Sequence, residues 1–208
     1  MVAAGLARRV RYSRAMPLDP DLRTVPASLR QWTVCPVCRG SVEPRVDEHG
    51  AQPHLVCTGE CGGHWYANPK PTANVFAQRA DDGRLLLVRR GRDPYKGCWD
   101  IPGGFVEDGE EAFDAAVREL REETGLEVRV TGFVGVFGDR YGGDRGDHTC
   151  NLFWTGIVDD PDRAAAASDV SELAWFTLDE IPGDDELAFD CVPRAVQAWR
   201  DRLAATPG

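Results

Sequence analysis

The chain is 208 residues long, enough for one good hydrophobic core and a small satellite module. Its hydrophobic content of 42% and charged content of 28% are those of an ordinary soluble protein, and the longest apolar runs fall well short of a membrane span. A net charge of -10 argues against a general binder of nucleic acid or anionic membrane.

The charge is unevenly spread. Residues 1–30 carry Arg8, Arg9, Arg11, Arg14, Arg23 and Arg30 against Asp19 and Asp21. This segment is poor in serine and has no apolar secretory core, so it reads as a disordered basic tail. An organelle transit peptide is the other reading of its arginines, and Met16 offers a second start. The 7 cysteines cannot all pair, because their number is odd. Without a secretory signal, a reducing, cytoplasmic compartment is expected. Cys98, Cys150 and Cys191 stand alone and read as small buried apolar residues.

The other four cysteines are clustered. Cys35-Pro-Val-Cys38 and Cys57-Thr-Gly-Glu-Cys61 each place two thiolates on a tight turn. The segment between them suits a hairpin. Four thiolates arranged this way suit tetrahedral structural Zn²⁺ with no open coordination position. So small a module would need the metal's binding free energy to fold. His54 and His64 flank the second pair as substitute ligands. Residues 31–68 thus read as a zinc ribbon. Its two arginines against four acids have the wrong sign for phosphate, so a structural or dimer-contact module is expected, with a homodimer among the outcomes. Pro69 and Pro71 then read as a short rigid linker.

From Thr72 onward the signals alternate. Residues 73–78 and 84–90 read as strands about an Asp-Asp-Gly turn. Glycines at 103 and 104 deliver the chain to a helix expected over about 110–124 and stopped by Gly125. Glu119, Glu122 and Glu123 are three and four apart, so they share one helix face. Phe113, Ala116, Val117 and Leu120 form the face expected to enter the core. Like charges so placed repel, and a hard divalent cation would reverse the sign. Residues 127–137, 149–158 and 172–176 read as strands. Between the first two lies a polar, glycine-rich stretch, 138–148, which is either a substrate loop or an ordinary hairpin loop. A last helix is expected over 193–204, with Val192, Val196, Trp199 and Leu203 as its apolar stripe. Strands interleaved with helices imply a layered α/β architecture.

Gly104, Glu110, Arg118-Glu119-Leu120, Glu122-Glu123 and Gly125-Leu126 match G-x5-E-x7-R-E-U-x-E-E-x-G-U at every fixed position, where U is a bulky aliphatic residue. This resembles the Nudix box of the Nudix hydrolases. Preceded by a four-cysteine module, it is similar to the subgroup with an N-terminal zinc ribbon, which includes the NADH pyrophosphatases. The resemblance implies an α/β/α sandwich around a mixed sheet over residues 69–205. It implies Mg²⁺ or Mn²⁺ held by Glu119, Glu122, Glu123 and the Gly104 carbonyl, with Glu110 and Arg118 as an ion pair that holds the ligands in place. Its general base varies, and Glu123, Asp169 and Glu172 are the candidates here. The implied reaction cleaves a small nucleotide, a nucleoside diphosphate linked to X, into a nucleoside monophosphate and phospho-X. The S-Q-P-W signature of the NADH pyrophosphatases is missing from residues 131–141, so ADP-ribose or a related nucleotide sugar is expected over NADH or NAD-capped RNA. Arg140, Tyr141 and His148 are candidate substrate contacts. A ligand-sensing protein without turnover is the alternative from another class. The intact carboxylates argue against it.

Overall fold

The computed structural model describes residues 26–46, 53–142 and 146–205. The chain divides into two compact units, Met1–Ala67 and Asn68–Gly208. Residues 1–25, most of the expected basic tail, lie outside the described residues. Residues 26–30, expected as the end of that tail, contain the helix α1 (Ala27–Arg30), and Leu29 is buried.

The first unit adds β1 (Val42–Arg45), β2 (His54–Cys57) and β3 (His64–Trp65), an antiparallel sheet in the order β1-β2-β3. Its core is Leu29 and Leu55 with Trp32, Val42, Trp65 and Ala67 packed around them. Among the described residues the buried aliphatic side chains of this unit are Leu29 and Leu55, too few to hold such a module by burial alone.

The second unit is built on a mixed seven-stranded sheet. Its elements in order are β4 (Lys70–Arg79), β5 (Leu85–Arg90), β6 (Trp99–Asp100), β7 (Gly103–Phe105), α2 (Ala112–Thr124), β8 (Arg129–Tyr141), β9 (Asp147–Val158), a 3-10 turn at Pro161–Arg163, β10 (Val170–Phe176) and α3 (Cys191–Ala205). The main path runs β10-β5-β4-β9-β8, with β6 on β5 and β7 on β4. The β4–β9 pair is parallel and the remaining pairs are antiparallel.

Both sheet faces are buried, and the two-residue repeat assigns each side chain to one of them. Phe76, Leu85, Leu87 and Phe153 pack against Cys191, Val192, Val196 and Trp199 of α3. Val75, Ala77, Leu86 and Val158 pack against Leu120 of α2 and Leu126. The layers are therefore helix, sheet, helix, as the sequence implied. Among the described residues no helix is long and apolar enough to cross a membrane.

Three expectations change. Pro71 does not stop the chain, because β4 runs through it and its carbonyl accepts from the Val106 N–H at 3.1 Å. A proline near a strand's start removes only one ladder donor. Phe113 is not in the core and stands 48% exposed. The face of α2 that packs on β4 is small instead, Ala115 and Ala116 against Ala73, and this leaves the first-turn ring outside. The stretch 138–148 is not a long loop. β8 continues to Tyr141 and β9 begins at Asp147, pairing with it residue by residue. Of the lone cysteines, Cys191 is buried as expected, whereas Cys98 and Cys150 are only partly so.

Candidate active site

β7 lies antiparallel on the first half of β4, with Gly104 opposite Ala73 and Gly103 opposite Asn74. α2 follows and lays its carboxylates over these glycines. The Glu119 carboxylate sits so close above Gly104 that a Cβ there would overlap it. The Glu123 side chain is buried, and its Oε2 accepts from the Gly103 N–H at 3.1 Å. Glu122, one position earlier, is exposed. Gly125 ends α2 in the left-handed conformation at φ 70°, as its place in the sequence requires.

Arg118 organises the near side of the helix. Its Nε and Nη2 take Glu110 in a bidentate pair at 2.8 and 2.9 Å. Nη1 reaches Glu119 at 2.9 Å and Glu122 at 3.2 Å, and Nη2 also donates to the Phe105 carbonyl at 3.1 Å. One guanidinium thus ties loop, strand and helix together with geometry only arginine supplies. The bidentate bond holds the Glu110 carboxyl down to about 2.

The far side carries excess negative charge. Burial pushes the Glu123 carboxyl up to about 9, with Asp100 and Asp169 adding to the effect. Burial likewise raises Asp100 to about 7 although Arg90 sits 3.2 Å away. Glu119 is also raised, chiefly by burial. Neighbouring carboxylates that disfavour one another's ionisation are what a hard cation relieves, and an all-oxygen donor set suits Mg²⁺ or Mn²⁺. The residues present therefore fit the implied metal. The three glutamates are not drawn into one tight cage. Among the described residues, the group with all its ligand atoms within 4.8 Å of one another is Cys35, Cys38, Cys57 and Cys61.

In that cysteine group, Cys35 Sγ lies 3.5 Å from Cys61 Sγ, and Cys38 Sγ lies 3.4 Å from Cys57 Sγ. A tetrahedron with Zn–S bonds of about 2.3 Å has edges of roughly 3.8 Å, so the spacing fits zinc. Backbone N–H groups of Val37 and Gly59 point at Cys35 and Cys57 sulfurs. The N–H of Gly40, then that of Cys61, draws the Cys38 thiol down to about 6. His54 and His64 do not join the cluster. They face each other, Nε2 to Nδ1 at 3.1 Å, and stack with Tyr66.

The other sequence candidates separate. Asp169 pairs with Arg92 at 2.8 Å and contributes to the raised Glu123, so it belongs to the acidic group. Glu172 does not, since it points along the sheet to Arg89 at 3.1 Å and is half-exposed. Tyr141 lines a cavity of about 60 Å³ with Asp100, Gly103 and Gly104. Arg140 and His148 are cross-strand partners that line a neighbouring open depression with Tyr95 and Arg194. The sequence reading missed Asp100, Arg90, Phe105 and Phe189, which also line the Tyr141 cavity. Trp99-Asp100 immediately before the glycines was the available signal for Asp100. Phe189 has none, because it arrives from beyond β10.

A glycine strand under a helix of carboxylates, pinned by one arginine and backed by buried acids, is an oxygen donor set of the kind a hard divalent cation takes. The NUDIX domain family matches residues 68–194, and the chain belongs to it. The ADP-ribose pyrophosphatase of Methanocaldococcus jannaschii is 38% identical over 125 residues, covering 60% of this chain and 70% of that protein. The NAD-capped RNA hydrolase NudC of Pseudomonas aeruginosa is 29% identical over 123 residues, covering 59% of this chain and 41% of that protein. The chain thus spans well under half the length of NudC. Among solved structures, a NUDIX hydrolase from Nitrosomonas europaea superposes with TM-score 0.68 at 25% identity, over 85% of this chain and 96% of that one.

Proposed function

We propose that the chain hydrolyses a nucleoside diphosphate linked to X, with ADP-ribose or a related nucleotide sugar as substrate. The observation that carries this reading is the Glu119–Glu123 face of α2 set directly over Gly103 and Gly104. The relative named as an ADP-ribose pyrophosphatase supports the choice of X. Glu119, Glu122, Glu123 and the Gly104 carbonyl would hold Mg²⁺ or Mn²⁺. Bound there, the metal supplies an acidified water and neutralises phosphoryl charge.

The chain's own residues do the remaining work. Arg118 fixes Glu119 and Glu122 in place and is itself fixed by Glu110. The Gly103 N–H orients the Glu123 carboxylate. Glu123 and Asp169 remain as candidate bases, since Glu172 is engaged by Arg89 outside the group. Residues 31–68 act as a structural zinc ribbon on Cys35, Cys38, Cys57 and Cys61, and residues 69–205 as the hydrolase domain. The test is a Mg²⁺- and Mn²⁺-supplemented panel of ADP-ribose, NADH, nucleotide sugars, dinucleoside polyphosphates and nucleoside triphosphates. Release of AMP from ADP-ribose is expected, reduced at least ~100-fold in Glu122→Gln. No turnover of any member would favour the sensing reading.

A further inference from the structure

Asp169 reaches the acidic group on a segment that is held from two sides. Residues 165–169 lie between the 3-10 turn and β10. The Ala165 N–H donates to the Thr124 carbonyl at 2.9 Å and the Ala167 N–H to the Glu123 carbonyl at 3.0 Å. These are carbonyls that a helix end leaves without partners of its own, so the last turn of α2 carries the segment. The Val170 N–H then turns back to the Ala167 carbonyl at 3.1 Å, and Ser168 inside that turn holds left-handed backbone at φ 56° without being glycine. Such backbone costs free energy and persists where its surroundings over-determine it. A bulge between Val170 and Glu172 shifts the pairing of β10 with β5. Bulges re-aim side chains, and this one separates Asp169, in the acidic group, from Glu172, on Arg89.

The exit of β5 grips Asp169 from the other side. The Gly91 N–H donates to the Asp169 carbonyl at 2.7 Å, and a Cβ on Gly91 would lie 2.7 Å from that oxygen. Arg92 Nε donates to Asp169 Oδ2 at 2.8 Å. The Arg92 side chain is 68% exposed, and an ion pair so open to water adds little to stability. What the bond supplies is the place of the carboxylate. Asp169 adds to the raised Glu123 and Asp100 carboxyls. The Asp169 bond raises the Arg92 guanidinium, and Tyr141 and Glu123 add to it, so the pair stands beside the acids. Glu123 is assigned to the cation and Glu172 is taken by Arg89, which leaves Asp169 for the proton of the water.

We infer that Arg92 is a positioning residue for the hydrolysis: from the exit of β5 it holds the Asp169 carboxylate beside Glu123, where Asp169 accepts the proton of the attacking water. Arg92 occupies Oδ2, so Oδ1 faces the task. The water oxygen bonds to phosphorus as its proton passes to Asp169. The bridging P–O bond breaks, its electrons leave with the departing phosphate, and Asp169 returns the proton to solvent.

The inference rests on the proposed hydrolysis, and the experiment separates the two. Wild-type protein with Mg²⁺ is assayed on the substrate panel, and inactivity on every member removes the hydrolase reading together with this one. On an active substrate, Asp169→Asn is expected to lower kcat at least ~100-fold with KM little changed. Arg92→Ala should lower kcat about 10- to 100-fold with KM and Mg²⁺ affinity little changed, and Arg92→Lys should recover part of the loss. Added to Asp169→Asn, Arg92→Ala should cost nothing further, because its effect runs through Asp169. An equal loss in both backgrounds overturns the inference. So does a raised KM at constant kcat, which would make Arg92 a substrate contact. Gly91→Ala keeps every charge and displaces the Asp169 carbonyl, so it should also lower kcat at constant KM. Wild-type kcat in Arg92→Ala and Gly91→Ala alike overturns the positioning role.

Discussion

At the level of single residues, the site depends on where a side chain is absent as much as on where one is present. Gly104→Ala would drive a methyl group into the Glu119 carboxylate. The expected result is a loss of kcat of about 10- to 100-fold with the fold retained, checked by steady-state assay beside circular dichroism. Glu123 gives a pH prediction. Its folded value of about 9 lies above the ordinary 4.5, so the folded metal-free chain binds a proton that the unfolded chain releases. Stability is then lost as pH rises from about 4.5 through about 9, with a limiting slope of about 1.4 kcal/mol per pH unit. Thermal melts of the larger unit's transition in magnesium-free buffer between pH 6 and pH 9 should show this decline, and Glu123→Gln should make it shallower, leaving the part that the raised Asp100 contributes. The box residues were legible because their relations are local, three or four positions along one helix. Asp100 was not, because its link to Glu123 is made through space by the pairing of Trp99–Asp100 with β5. Phe113 was misread because periodicity reports a stripe, and tertiary packing chose the adjacent small face of Ala115 and Ala116.

At the level of elements, Arg118 fastens α2 on the side away from its packing against β4. Arg118 joins it to the preceding loop through Glu110 and to the end of β7 through the Phe105 carbonyl. Arg118→Ala should lower kcat and metal affinity by about 10- to 100-fold, and Arg118→Lys should recover only part, since an ammonium cannot form the bidentate bond. Mg²⁺ titration beside the assay would show it, and wild-type affinity in the alanine variant would contradict the role. Strand identity was readable from Val, Ile and Phe content. Strand length was not. The polar ends of β8 and β9 have low intrinsic preference, yet Asp139, Arg140 and Tyr141 find cross-strand partners in Thr149, His148 and Asp147. Pairing supplied what composition did not.

For the whole chain, the two units rest on different physics. The smaller unit has a minimal core and four gathered thiols, whereas the larger unit buries both faces of a sheet. Purified protein should carry about one zinc per chain, and Cys35→Ser/Cys38→Ser should lose it, as metal analysis will determine. Zinc chelation should abolish one calorimetric transition and leave that of the larger unit. Unchanged zinc in the double variant would refute the ribbon. The layered class was evident from alternating signals, but the parallel β4–β9 contact was not, because no local pattern specifies a partner about 80 residues away.

That contact also bears on the order in which the chain gains structure. The strands of the smaller unit pair over short stretches, Val56 with His64 and Val42 with Cys57, so it can close early. β4 pairs Lys70 with Thr149 and Arg79 with Val158. During synthesis, the middle strand of the sheet therefore waits with one edge unpaired until β9 has left the ribosome. Closing a loop of that length slows folding, and the waiting edge is open to another chain. Translation stalled before residue 149 would leave the smaller unit joined to an aggregation-prone half sheet.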